Sequence, residues 1–451
     1  MTTPFLDFVH DLRHDDLPDT VRAEARRWIL DLCGVAAGGA QTALSRIIRG
    51  HAAAQFGAGA GTGSARMLMD GRAVSAAGAA LAGGMTIDAL DGHDGHKLTK
   101  GHVGCGLFPA ALAVAEAEGR TDGAEFLAAI VIGYEIGSRA GIALHRTAPD
   151  YHTSGAWIAP TVAAVASRLM GLGGAATREA IGIAEYHGPR SQMMRCIDHP
   201  TMVKDGSGWG AMAGVSAACL AADGFTGAPA ITVEGDDVAD IWGDLGSRWR
   251  IFEQYCKPYP VCRWAQPPLQ AVLGLRAAHG LSSEQVERIE VATFHQSVRL
   301  ATRRPKTTEE AQYSTAFPTA AAMVRGRVGA EEVAEGAFTD PEILRLADGM
   351  VFAEEEAYNA AFPARRFAHV TLVLKDGRRL ASERTEALGD PEAPLPQAAI
   401  VAKFHGLADP VIGRPAAEAL AAAVEGLGQG GSAATLADRL CAAPVPAAAV
   451  A

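Results

Sequence analysis

Apolar residues recur at helical spacing through most of the first half of the chain. Pro18-Asp19-Thr20 opens a helix that runs through VRAEARRWILDLCGVAAGG and stops at Gly38-Gly39. The same spacing predicts helices throughout 3–57, over 73–87, 107–118 and 123–144, along PTVAAVASRLMGLG, and over 175–186 and 209–223. Period-2 alternation is almost absent before about residue 250, so an all-α region is expected. The texture changes near residue 266. GLRAAHGLSSEQVERIEVATF reads as helix, turn and strand, and helices are expected over 315–328 and 330–348. FAHVTLVLKDGRRLASER reads as a hairpin about Asp376-Gly377. Amphipathic helices return from Pro396, and the tail after Gln429 holds one short helix and a low-complexity end expected to be disordered. The fold expected is mainly α: a large helical domain (1–265) that the C-terminal helices (398–451) rejoin, with an inserted α+β lid domain (266–397). No internal repeat is evident.

Composition narrows the function classes. Of 451 residues 49% are apolar but only 6% aromatic, so the core is mostly Ala, Val and Leu, which suits closely packed helices. The net charge of -11, without a basic run, argues against nucleic acid or an anionic membrane as partner. It also means that cations around an acidic substrate must be gathered locally. No basic n-region precedes an apolar stretch, and no window is apolar for ~18 residues, so neither a signal peptide nor a membrane span is expected. The seven cysteines are scattered, without a C-x-x-C pair, which fits a reducing cytoplasm and argues against a disulfide framework or structural zinc.

Between two apolar flanks lies a polar knot, DALDGHDGHKLTKGHVGCG, from Asp88 to Gly106. It carries Asp88, Asp91, Asp94, His93, His96, His102, Lys97 and Lys100. Carboxylates and imidazoles clustered between buried helices must be paired or solvated in a cavity, and they are the groups that move protons. A solvated interhelical loop would have the same composition. His93-Asp94-Gly95-His96 could supply metal ligands, but the two histidines are three apart with a Gly between them and no ordered third ligand is obvious, so no metal is expected.

Four further places attract attention. His152 precedes an apolar helix, with Thr153 or Ser154 as candidate cap at an end that favours anions. Lys204 sits in a turn where Gly206, Gly208 and Gly210 would let backbone approach a ligand and Trp209 would form a wall. YCKPYPVCRW places Lys257, Cys262 and Arg263 at the expected domain boundary, a favoured place for a ligand cleft. Lys and Arg there suit carboxylates, whereas Cys262 reads first as a small buried hydrophobe. EAQYSTAFP puts Gln312, Tyr313 and Ser314 at a helix start, with Ser314 explained by capping alone. No dinucleotide or P-loop glycine motif and no G-x-S-x-G elbow is present.

In order and spacing, the knot, the His152 loop, the Lys204 turn and the K-P-Y-P segment resemble the MmgE/PrpD family, which includes 2-methylcitrate dehydratase, cis-aconitate decarboxylase and iminodisuccinate epimerase. DGFTGAPAI (223–231), EAQYSTAFP, KDGRRL, ALGDPEAP (387–394) and VAKFHGLADP (401–410) extend the resemblance along almost the whole chain. It places Asp91 and Asp94 on active-site aspartates, His102 and His152 on the two active-site histidines, and Lys204 and Lys257 on the two lysines. Asp88, His93, Gly95, Val103 and Phe317 depart from residues usual in the family. Cys262 stands where the decarboxylase carries His, which argues against cis-aconitate decarboxylation.

The resemblance implies a homodimer without metal or organic cofactor, acting on a small polycarboxylate. Asp91, His102, His152 and Lys204 would be catalytic, and Lys257, Arg263, Cys262 and Gln312 would bind substrate. Asp91, His102, His152, Lys204 and Lys257 should converge on one cleft between the helical domain and the lid. The leading expectation is a dehydratase of the 2-methylcitrate type that abstracts the proton α to a carboxylate. An epimerase working through the same carbanion is the alternative, and a decarboxylase or a non-catalytic dimeric binding protein stands further back.

Overall fold

The computed structural model describes residues 3–59 and 63–442. Its helical domain is built around Asp19–Gly39, Ala76–Asp88, Gly104–Ala117, Gly123–Thr147, Gly155–Met170, Gly174–His187 and Ser207–Ala222. Small residues set the spacing of these helices. A Cβ on Gly84 would lie 2.6 Å from the Gly208 Cα, and one on Gly210 would lie 2.7 Å from the Gly155 Cα. Gly208 and Gly210 therefore serve contact between helix backbones rather than approach to a ligand. Trp209 points outward, 43% exposed, instead of walling a site.

Gly123–Thr147 is long and apolar enough to cross a membrane, but 94% of its apolar window is buried inside the protein. It also carries an internal ion pair, Arg139 Nη1 to Glu135 Oε2 at 2.6 Å. The same carboxylate accepts from the amides of Arg250 (3.0 Å) and Ile251 (2.9 Å). A charge so paired belongs to a packed core, where losing either partner would strand the other.

The helical region is interrupted by two small antiparallel ladders that the sequence pattern misses: Ser64–Arg66 with Ala73–Ser75, and Gly95–His96 with Gln254–Tyr255. Strands of two or three residues are too short to show alternation. The helix expected over 73–87 accordingly starts at Ala76, where the Ser75 hydroxyl accepts from the Gly78 amide at 3.2 Å. The helix expected over 330–348 is only Pro341–Asp348, capped by Asp340, preceded by two 3-10 turns. Its proline fits the first helical position, and the Ala-Gly-rich run before it lacks a cap that would hold a longer helix.

The inserted α+β lid domain carries a five-stranded sheet. Val286–Thr293 is flanked by the parallel strand Val351–Glu354 and the antiparallel strand Phe367–Leu374, which also pairs with Arg379–Ala381 and Thr385–Glu386. Asp376-Gly377 makes the hairpin turn, with Gly377 at φ +88. Helix Gln266–His279 covers this sheet. The C-terminal helix Gln397–Ile412 returns to Asp19–Gly39, where Gly34 leaves room for Phe404; a Cβ there would be 3.0 Å from the Phe404 Cα. Burying Phe404 contributes about 2 kcal/mol to that junction. Beside it Lys403 pairs with buried Asp31 at 2.7 Å and donates to the Gly92 carbonyl, which ties the C-terminal segment to the polar knot. The low-complexity end of the tail, from residue 443, lies outside the described residues.

Candidate active site

The knot is buried. Asp88, Asp91, His93, Asp94, His96, Thr99 and His102 are all 7% exposed or less. Such burial forces pairing. Asp94 caps the helix Gly104–Ala117: its Oδ2 accepts from the amides of Gly104 (3.1 Å) and Val103 (3.4 Å). Its backbone carbonyl accepts from His102 Nδ1. A carbonyl can only accept, so that ring nitrogen carries the hydrogen and Nε2 keeps its lone pair. The His102 amide donates to Ser154 Oγ at 2.9 Å and its carbonyl accepts from Trp157 Nε1 at 3.0 Å, which fixes the backbone beneath the ring. Burial first, then Lys257 and His93, push the His102 pKa well below the usual imidazole range. His102 is therefore a neutral acceptor at neutral pH.

Opposite His102 lies a charge network. Lys257 Nζ donates to Asp91 Oδ1, and both groups are buried. Gln312 Oε1 accepts from the Asp91 amide (2.9 Å) and from Lys204 Nζ (2.7 Å), while its Nε2 donates to the Ala89 carbonyl and Thr308. Burial alone would raise the Asp91 carboxyl, but Lys257, Lys204 and His102 hold it well below the carboxylate range. Asp205 behaves oppositely. Burial, then neighbouring Asp88 and Asp91, raise it to about 7 despite the hydrogen bond from Ser154. His102 Nε2 lies 3.9 Å from Asp91 Oδ1 and 3.8 Å from Asp205 Oδ2. One carboxyl fixed as an anion and one able to hold a proton thus flank one neutral imidazole, the divergence that assigns base and acid roles.

A narrow cleft opens onto these groups, lined by Asp91, Lys100, His102, Asp205, Lys257 and Tyr313, with Met193, Cys196, Ile197, Tyr255, Cys262, Arg263 and Trp264 completing the wall. Lys100 is held near pKa 8, by burial first and then the charge of Arg366. Burial, then Asp91, keep Tyr313 protonated well above its ordinary range, so it can only donate a proton at neutral pH. Lys100 and Lys204 both have left-handed backbone, φ +54 and +47. That costs ~1–2 kcal/mol each and persists where surroundings fix the residue.

Of the residues picked from sequence, Asp91, His102, Lys257, Cys262 and Arg263 line the cavity. Lys204 lies beneath its Tyr313 wall, 4.6 Å from the ring centroid, and Gln312 lies below, positioning Lys204 and Asp91. Gln312 has no group left for substrate. His152 does not join them: its Nδ1 pairs with the Asp150 carbonyl at 2.9 Å, and its amide donates to His145 Nε2 at 3.0 Å. An isolated bridge pairs its backbone with Gln192, and His152 is not among the residues that line the cavity. Arg263 touches the wall, but its guanidinium is committed to Gln266, the Leu388 carbonyl and Asp390, so it joins the lid to the helical domain. The Cys262 thiol is pushed to about 12 by burial and by Asp91, which makes it neutral wall. Asp94 is a cap rather than a cavity group. Neither Thr153 nor Ser154 caps the following helix through its side chain; Ser154 links His102 to Asp205 instead. Ser314 caps as expected, accepting from the Phe317 amide at 2.9 Å. The sequence reading passed over Asp205, although an acid beside Lys204 in a glycine-rich turn was a usable signal. It also left Lys100 and Tyr313 without roles.

Asp91, His93 and His102 bring ligand atoms within 4.8 Å of one another, a spacing that could hold a metal ion. Lys257 already donates to the Asp91 oxygen concerned, and a cation there would face that ammonium.

Residues 4–243 match the MmgE/PrpD N-terminal domain and residues 259–429 the MmgE/PrpD C-terminal domain. The chain is similar to the cis-aconitate decarboxylase of Aspergillus terreus, 24% identical over 91% of this chain and 90% of that protein. It is also similar to the cis-aconitate decarboxylase-like protein oryM of Aspergillus oryzae (strain ATCC 42149 / RIB 40), 27% identical over 50% of this chain and 48% of that protein.

Proposed function

Because the chain belongs to the MmgE/PrpD family, we propose that it is a cofactor-independent lyase acting on a small di- or tricarboxylate, a dehydratase in its first reading. The observation that carries this is His102: a neutral imidazole, locked by its Nδ1–H, with its lone pair beside a cavity that holds Lys257 and Lys100. In this reading the two ammonium groups hold the carboxylate next to the reacting carbon. His102 Nε2 removes the α proton, and charge moves into the carboxylate, where the cations stabilise it. The carbon–carbon double bond forms as the β-hydroxyl leaves with a proton from Asp205, giving water. His102 then returns its proton to Asp205 across the 3.8 Å gap. Asp91 keeps Lys257 in place and compensates its charge before substrate binds. Lys204 acts through Gln312 and Tyr313 rather than by touching substrate.

A second reading, decarboxylation, is favoured by the names of the relatives. There a carbon–carbon bond to a departing carboxylate breaks, CO2 leaves, and the carbanion takes a proton from Tyr313, which solvent then reprotonates. Incubation of the purified protein with a panel of hydroxylated and unsaturated di- and tricarboxylates in deuterated water separates the readings. Water loss with deuterium exchange supports the dehydratase, CO2 release the decarboxylase, and exchange with inversion an epimerase. Thermal stabilisation without turnover would reduce the protein to a binder. A homodimer is part of the proposal. Val203 is 64% exposed and Trp209 43%, apolar surface that a second copy could cover; light scattering at the monomer mass would count against it.

A further inference from the structure

Two adjacent arginines enter the strand Phe367–Leu374 and meet opposite fates. Arg365 is exposed and paired with Glu386 at 2.7 Å. Arg366 is 3% exposed, and its Nε, Nη1 and Nη2 have no hydrogen-bond partner among the described residues. Both lie just before the strand, and Arg366 begins a buried run that continues through Phe367 and Ala368. That run does not explain an unpaired buried guanidinium, one of the most costly groups to desolvate.

The surroundings show what is missing. The Arg366 guanidinium carbon lies 5.3 Å from the centroid of Tyr255, a cavity-wall ring whose other neighbour is Arg263 at 4.7 Å. The Tyr255 ring cannot swing away on the Gly95 side, where it packs against the backbone so closely that a Cβ would fall 2.4 Å from the ring. The charge of Arg366 is felt by Lys100 and Cys262, both in the cavity wall. The carboxylate that feels it from the protein side, Asp390, is already taken: Oδ1 by Arg263 and Oδ2 by Lys97 at 3.1 Å. Lys257, likewise, is compensated by Asp91. Arg366 is not itself among the residues lining the cavity: it lies against the Tyr255 ring of the wall, a buried cation for which the described residues supply no hydrogen-bonded counter-ion.

We propose that Arg366 is the lid's carboxylate clamp, a binding residue whose guanidinium takes the distal carboxylate of the substrate while Lys257 and Lys100 hold the one at the reacting carbon. This rests on the polycarboxylate reading of the cavity and narrows it: the substrate carries a carboxylate remote from the reacting carbon, and the lid reads it. A planar fork of donors suits that carboxylate better than a point charge would.

The test uses the whole protein with propane-1,2,3-tricarboxylate and glutarate as probes, in Arg366→Met and Arg366→Lys variants. Affinity is measured by calorimetry and the melting temperature is taken with and without probe. Arg366→Met should weaken the triacid about thirtyfold or more and glutarate by less than about threefold, with Arg366→Lys in between. Without probe, Arg366→Met should melt no lower than the wild type, because an unpaired buried charge has been removed. Triacid binding unchanged in Arg366→Met would overturn the clamp and leave the proposed function standing. A variant that melts lower and loses both acids equally would make Arg366 structural, which also overturns it. Wild type binding neither acid would remove the polycarboxylate reading and the clamp with it.

Discussion

Two histidine loops of the helical domain carry similar residues and end in different chemistry. The 88–106 loop is enclosed between Ala76–Asp88 and Gly104–Ala117, and the lid-side segment brings Lys257 down onto Asp91. The 145–155 loop also holds two histidines and a neighbouring carboxylate, yet His152 is only half-buried and its Nδ1 pairs with the Asp150 carbonyl. His145 is drawn down to about 4 by burial, then by Lys100 and His152, but its Nε2 accepts from the His152 amide. The contrast teaches that residue type nominates a proton-transfer site, while enclosure and a second charged segment make one. Lys100 joins the loops: it lines the cavity and lies 4.1 Å from the Tyr151 ring centroid.

The largest effect should separate the two histidines. His102→Ala should lower kcat by about a thousandfold, the contribution of a positioned base, whereas His152→Ala should stay within about threefold. Steady-state kinetics on both variants checks this, and equal losses would merge the loops into one site. Next comes the pair that distinguishes the enclosed loop. Lys257→Ala leaves Asp91 buried and unpaired, so stability should fall by about 3 kcal/mol and KM should rise by about a hundredfold. Denaturant melts and KM together test it, and Lys257→Ala with Asp91→Asn should recover much of the stability.

A smaller effect concerns Asp205. Its folded pKa of about 7 lies above the ordinary carboxyl value, so the stability it contributes is present at low pH and is lost as pH rises through 7. Asp205→Asn should melt with the wild type only near about pH 4, gain on it as pH rises to 7, and stand several degrees above it at pH 8. If Asp205 supplies the leaving-group proton, wild-type kcat should also fall above about pH 7, and the variant should lose that limb along with most of its rate. The smallest expected change is none. Prolonged chelation and dialysis should leave turnover intact, since Lys257 already occupies the Asp91 oxygen that a metal would need. Loss restored by one divalent ion would recast Asp91, His93 and His102 as ligands.

Much of this was legible in the sequence. Helical spacing found the helices that frame the knot, and Asp376-Gly377 marked the lid hairpin. The flanks of the knot implied a buried polar cluster. Spacing could not show which polar residues would meet. Arg263 and Gln312 were chosen for their chemistry, and the fold spends that chemistry on Asp390 and on Lys204. Two of the glycines chosen as ligand approaches, Gly208 and Gly210, proved to be helix contacts, because the same lack of a Cβ serves both. Asp205 and Arg366 were missed for a common reason. Their importance lies in what surrounds them, like charges about one and no counter-ion about the other; local sequence offers only the acid beside Lys204 for the first and no trace of the second.

The central claim is that His102 takes the proton α to a substrate carboxylate. The direct test is incorporation of solvent deuterium at that carbon, followed by mass spectrometry for the wild type and for His102→Gln, with any acid of the panel that the wild type turns over. The account predicts exchange in the wild type and a loss of about a hundredfold or more in His102→Gln with binding retained. Undiminished exchange in His102→Gln, or turnover of the acid without any exchange in the wild type, would contradict it.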